Sequence, residues 1–183
     1  MARLLSAVLA ACMLVALMGA GAADARKHKR KPRKPRCQIH MKAHCSKANL
    51  SKRKLRGADL RQADLRRATL IRTDFTKAVL RGANLNRSDI FSAQFYSADL
   101  SGANISQANA SYVSMTYARL RGANLRGTNL HKADLYKADL IDADLTNADL
   151  SEANLGDAVL CYAKLTGANL TGANVNGTNF CRT

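Results

Sequence analysis

Acidic residues are scarce in this sequence. Thirteen Asp and Glu stand against 29 Lys and Arg in 183 residues, a formal net charge of +16. From Arg26 to Arg56 there are fourteen Lys or Arg and no acid, which excludes a neutral or acidic surface for that stretch. Aromatics are few as well: five Tyr, four Phe and no Trp. Sustained apolar periods of 3.6 or 2 residues are missing, and this excludes an amphipathic helix or an alternating strand as the main building element. Catalytic groupings are missing too. The four histidines have no evident nucleophile or acid partner, and Asp134, Asp139, Asp144 and Asp149 recur at regular intervals instead of converging on a cleft. No catalytic residue, cofactor or small-molecule substrate is therefore assigned, and the chain reads as a non-enzymatic binding or structural protein.

Three segments follow from composition. Residues 1–25 carry a charged start at Arg3, an apolar run from Leu4 to Met18 and small residues ending in A-x-A sites at Ala22 and Ala25. That is the plan of a secretory signal, so export to a periplasmic or extracellular space is expected. The alternative is a membrane anchor formed by the uncleaved leader, favoured by the positive charge directly after the apolar run. Residues 26–45 form a basic arm ending in a capping loop, and residues 46–183 form the regular body. Charge is unevenly spread along that body: residues 57–100 sum to +2, 101–132 to +4, 133–160 to −6 and 161–183 to +2. A cationic arm attracts polyanions and acidic proteins by a screened, largely sequence-blind force. Its anion-binding residues are Arg26, Lys27, Lys29, Arg30, Lys31, Arg33, Lys34 and Arg36.

The body is a five-residue repeat. From Leu50 to Phe180 every fifth residue is apolar, 27 in succession and 19 of them Leu, and two places before each stands Ala in 21 cases, with Thr, Ser, Val or Arg in the rest. No helix or strand keeps that period in phase, so the chain must coil with regular corners. The units Ala58-Asp-Leu60, Ala63-Asp-Leu65, Ala83-Asn-Leu85 and Ala133-Asp-Leu135 through Ala153-Asn-Leu155 resemble the pentapeptide-repeat proteins over about residues 46–180. The resemblance implies an all-β fold, a right-handed quadrilateral parallel β-helix with four pentapeptides per coil and the Leu and Ala inward. About seven coils at the ~4.8 Å strand spacing make a rod roughly 30 Å tall. Resemblance also implies end-to-end homodimerisation through the C-terminal coil, whose last apolar layer is three residues from Thr183. Some members imitate DNA with an acidic surface and regulate topoisomerases. The basic composition here departs from that pattern.

With twenty residues per coil, residues twenty apart are stacked, and candidate surfaces can be read. Arg61, Arg81 and Arg121 form a column beside Arg66, Arg67, Arg87 and Arg126, either an anion-binding side or a solvated basic one. Phe91, Tyr96, Tyr112, Tyr117 and Tyr136 gather at adjacent corners, flanked by His131, Lys77 and Lys137, and suit contact with a partner protein, a glycan or bases. Cys161 and Cys181 are one coil apart, within disulfide reach. Cys37 and Cys45 bracket a short loop and suit either a second disulfide capping the first coil or, with His40 and His44, a zinc or copper site. Phe75, Phe95 and Met115 are expected to stack inside, and the undersized Ala110 beside Val113 to bend the rod near residues 110–115.

Overall fold

The computed structural model describes residues 37–181. The leader, the arm from Arg26 to Arg36 and Thr183 lie outside them. Along the described chain each pentapeptide makes one short extended piece and one turn. Parallel bridges join every outward middle residue to the one twenty positions later, from His44–Asp64 to Val159–Asn179. Four turns per twenty residues make a four-sided coil.

The turn explains the unit. Ala63 N–H donates to Leu60 C=O at 3.0 Å, and the second of the two turn residues between them, Gln62, has φ +55°. A positive φ at that place alone is the arrangement of a type II turn. It recurs at every corner from Lys42 to Gly177, at Gly in eight and at another residue in twenty. Backbone pairing between coils satisfies three more amides of each unit that has a coil on both sides: Leu60 N–H to Val79 C=O at 2.8 Å, Gln62 N–H to Arg81 C=O at 2.9 Å and Asp64 N–H to Ala43 C=O at 2.8 Å. One amide remains, that of the first turn residue. The Asp or Asn side chain two residues earlier accepts it, as Asn104 Oδ1 does from Ser106 N at 3.1 Å and Asp149 Oδ1 from Ser151 N at 3.0 Å. A buried or half-buried amide left without an acceptor is costly. The repeat therefore specifies Asp or Asn for hydrogen bonding, not for charge.

Inside, Leu and Ala fill the section, and from Leu60 to Leu160 every central residue is at most 2% exposed. Phe75 and Phe95 stack with centroids 4.8 Å apart and planes 11° apart. The bend expected near 110–115 is absent. Ala110 N–H still reaches Asn129 C=O at 2.8 Å, Met115 N–H reaches Asp134 C=O at 2.7 Å, and bridges run through Asn109 and Ser114. Val113 and Met115, both buried, supply the volume that Ala110 withholds, so the coil keeps its shape.

The repeat begins one unit earlier than residue 46. Ala43 and Cys45 occupy the two inward positions at 0% and 1% exposure, Lys42 takes the left-handed corner and His44 pairs with Asp64. Cys45 stands where Leu stands elsewhere, apolar enough for the core, and its sulfur is bonded to Cys37. Cys37 and Ile39 pack on the core, and Leu50 and Leu55 are only 6% and 7% exposed. At the other end Val175 and Phe180 are 43% and 41% exposed. The N-terminal end is covered and the last described coil is not.

Candidate binding surfaces

The seven predicted arginines share one side, centred on residues 63–65 and their stacked equivalents. Five are ion-paired. Arg61 grips Asp59 through two nitrogens at 2.9 and 2.6 Å, and Arg66 grips Asp64 at 2.8 and 2.8 Å. Arg81 reaches Asp99 at 3.4 Å, Arg126 reaches Asp144 at 3.1 Å, and Arg121 pairs with Asp139. The guanidinium of Arg61 holds the Asp59 carboxyl below its ordinary range, and Arg66 does the same to Asp64. Both carboxylates are charged at neutral pH and cancel much of that side's positive field.

Arg67 and Arg87 have no carboxylate partner among the described residues. Arg87 Nε instead donates to Gln107 Oε1 at 2.8 Å. One coil below Arg67 stands Lys47, which the sequence reading passed over and which the twenty-residue offset places in this column. Lys47, Arg66 and Arg67 line an open depression of about 330 Å³ together with Ser46 and Asn86. Of the arginine side, this corner column carries the uncompensated charge.

On the opposite side, centred on residues 93–95, the aromatics form two rows, one along each edge. Phe91, Tyr112 and His131 make the first, with centroids 5.5 and 5.9 Å apart. Tyr96, Tyr117 and Tyr136 make the second, at 5.7 and 6.2 Å. Lys132 lies 5.8 Å from the Tyr112 centroid, and Lys137 lies 5.9 and 5.2 Å from Tyr117 and Tyr136. A hydrogen bond with Tyr136 raises the Lys137 ammonium pKa, and the bond to Glu152 raises that of Lys132. Tyr96, Tyr112 and Tyr117 remain 44–48% exposed. Lys132 was also missed in sequence, although it stands twenty residues after Tyr112. Among the described residues Lys77 lies over no ring in this way.

Both cysteine pairs are joined, Cys37–Cys45 with Cα atoms 4.9 Å apart and Cys161–Cys181 at 4.8 Å. The first bond removes both thiolates from the alternative metal set with His40 and His44, and His40 Nδ1 lies 2.7 Å from Met41 O. The second clips the last coil to the one before it.

The sequence profile described as pentapeptide repeats matches in eight copies, over residues 43–82, 70–107, 103–147, 138–177 and 163–183. The chain belongs to the pentapeptide-repeat family. Proteins of that kind form right-handed quadrilateral β-helices, in agreement with the twenty-residue ladder. Among solved structures the chain is similar to full-length QnrB1, a plasmid-mediated fluoroquinolone resistance protein, at 19% identity over 78% of this chain and 75% of that one, with a TM-score of 0.72. It is also similar to HetL of the cyanobacterium Nostoc sp. strain PCC 7120, a pentapeptide-repeat protein involved in heterocyst differentiation regulation. There the identity is 26% over 74% and 82% of the chains, with a TM-score of 0.36. A pentapeptide-repeat protein from the Arabidopsis thaliana thylakoid lumen is 27% identical over 60% and 69%, with a TM-score of 0.25. No curated protein sequence matches the chain.

Proposed function

We propose that this pentapeptide-repeat protein is a non-enzymatic, exported scaffold of about seven coils that holds an anionic polymer or an acidic protein with its N-terminal cations and presents its aromatic side to a second partner. The observation that carries this reading is the segregation of charge. Eight Lys or Arg fill residues 26–36 without an acid. The corner column Lys47, Arg67, Arg87 leaves its cations free of carboxylates among the described residues, while the other arginines of that side are neutralised by aspartates. Two disulfides suit an oxidising compartment and support export. The exposed Val175 and Phe180 suit pairing of two copies through the last coil. A DNA-imitating, topoisomerase-directed role asks for an acidic rod, and the surplus of cations runs against it.

Retention of the full-length chain on immobilised heparin, with and without residues 26–36, tests the reading. Full-length protein is expected to elute at high salt, the arm-deleted protein near the start of the gradient, and Arg67→Ala with Arg87→Ala in between. Equal elution of the full-length and arm-deleted proteins would overturn it.

A further inference from the structure

The two aromatic rows have a geometry that a generic contact patch does not need. They occupy three successive coils, at residues 91–96, 112–117 and 131–136, and each coil places one ring at each edge of the same side. Between the rows the outward residues are Gln94, Ser114 and Asp134, a polar floor at most about 18 Å wide from edge to edge. Within a row, successive rings stand at 60–88° to each other, edge to face. The track therefore sets one ring at each edge every ~4.8 Å along the rod.

From this we infer that the aromatic side is a binding track for an extended, uncharged β-1,4-linked glycan, laid along the rod axis over about three sugar residues. In such a glycan each pyranose advances the chain by close to one coil rise, so successive sugars meet successive rings. Pyranose C–H faces pack on aromatic rings, and hydroxyl groups find the donors and acceptors of the floor. A protein partner without stacked strands along its contact face offers no such period. A nucleic acid offers rings to stack but brings phosphates to the coil that holds Asp134, the start of the stretch 133–160 with net charge −6. Lys132 is held by Glu152 at 3.3 Å, and Lys137 lies over two tyrosine rings, so both add donors at the rim more than free charge. This inference rests on the scaffold reading and names the ligand class of its aromatic side.

Calorimetric titration of the full-length chain with chitohexaose, cellohexaose and, as an α-1,4 control, maltohexaose tests it. Saturable binding of at least one β-1,4 hexasaccharide and none of maltohexaose is expected, unchanged by about 0.5 M NaCl because no charge is matched. Tyr117→Asn, at a left-handed corner that Asn tolerates, is expected to weaken binding about tenfold or more, while Tyr162→Asn, on another edge, leaves it within about twofold. Tyr112→Asn in the other row provides a second reading should Tyr117→Asn fail to melt cooperatively. No binding of either β-1,4 glycan, equal binding of maltohexaose, or indifference to both row variants would overturn the inference. So would tyrosine-dependent capture of a protein in place of glycan binding. Heparin retention separates the two claims: glycan binding with arm-independent heparin elution sinks the anionic-polymer reading alone.

Discussion

Asn104 shows what one residue of this repeat does. Its Oδ1 takes the Ser106 amide at 3.1 Å and the Ser106 hydroxyl at 2.7 Å, the two groups that the backbone ladder leaves over. Asn104→Ala should lower stability by about 1 kcal/mol, read from urea unfolding, whereas Asn104→Asp should be close to neutral. A neutral Ala variant would mean that water serves those donors equally well. Aspartates at the same place add a pH dependence. Ser151 holds the Asp149 carboxyl below its ordinary range through its hydroxyl and then its amide, and Thr146 does the same for Asp144. A folded-state pKa below the unfolded one stabilises fully above the unfolded value of about 3.9 and is lost as pH falls through the folded value. Melting temperature should therefore drop between about pH 5 and pH 2. The gap between the natural protein and Asp149→Asn, which keeps the acceptor without the charge, should close over the same range. A constant gap from pH 7 to pH 2 would contradict the assignment. Inward hydroxyls follow a second rule: Thr73 and Thr128 donate to the carbonyls of Leu50 and Ile105 at 2.9 Å, while buried Ser88 Oγ has no partner among the described residues and no explanation here.

At the scale of the coil, legibility in the sequence followed the repeat. A spacing of five marks the inward residues and a spacing of twenty marks the neighbours above and below, so the Phe75–Phe95 stack and the Cys161–Cys181 bond could be anticipated by counting. The tyrosine groups could be too, because their corners are set by the same count. What counting does not supply is the choice among neighbours. Arg61 pairs with Asp59 on its own strand, whereas Arg121 reaches Asp139 in the next coil, because the residue two places before Arg121 is Arg119. Nor did the leucine ladder reveal the first unit, where Cys45 replaces Leu. Stability in such an array is close to a sum of coil and interface terms, so damage at one end stays local. Breaking the terminal clip with Cys161→Ser and Cys181→Ser frees a loop of about twenty residues and should cost about 3 kcal/mol, confined to the last coil. Amide exchange should speed up over residues 161–181 and stay slow around Leu120. Uniform acceleration along the chain would show that the coils unfold as one unit.

Over the whole molecule, the proposed function separates by side and by end. A core of Leu and Ala at near-zero exposure leaves the interior nothing to bind with, and the ladder spends its polar groups on itself. In the proposed reading, recognition falls to what the repeat does not prescribe: the corner residues, the N-terminal cations and the exposed last described coil. On the arginine side, composition overstated the available charge, since aspartates one or two positions away in space cancel five of seven cations. On the aromatic side, composition understated the order, since five scattered aromatics and a histidine fall into two rows. The central claim is that N-terminal cations, and not the rod as a whole, hold a polyanion. The salt dependence of heparin affinity tests it most directly, because each released counterion adds to the slope of log affinity against log salt. The account predicts a steep slope for the full-length chain that collapses when residues 26–36 are removed and falls by a small further step with Arg67→Ala and Arg87→Ala. A slope that survives removal of the arm unchanged would contradict it.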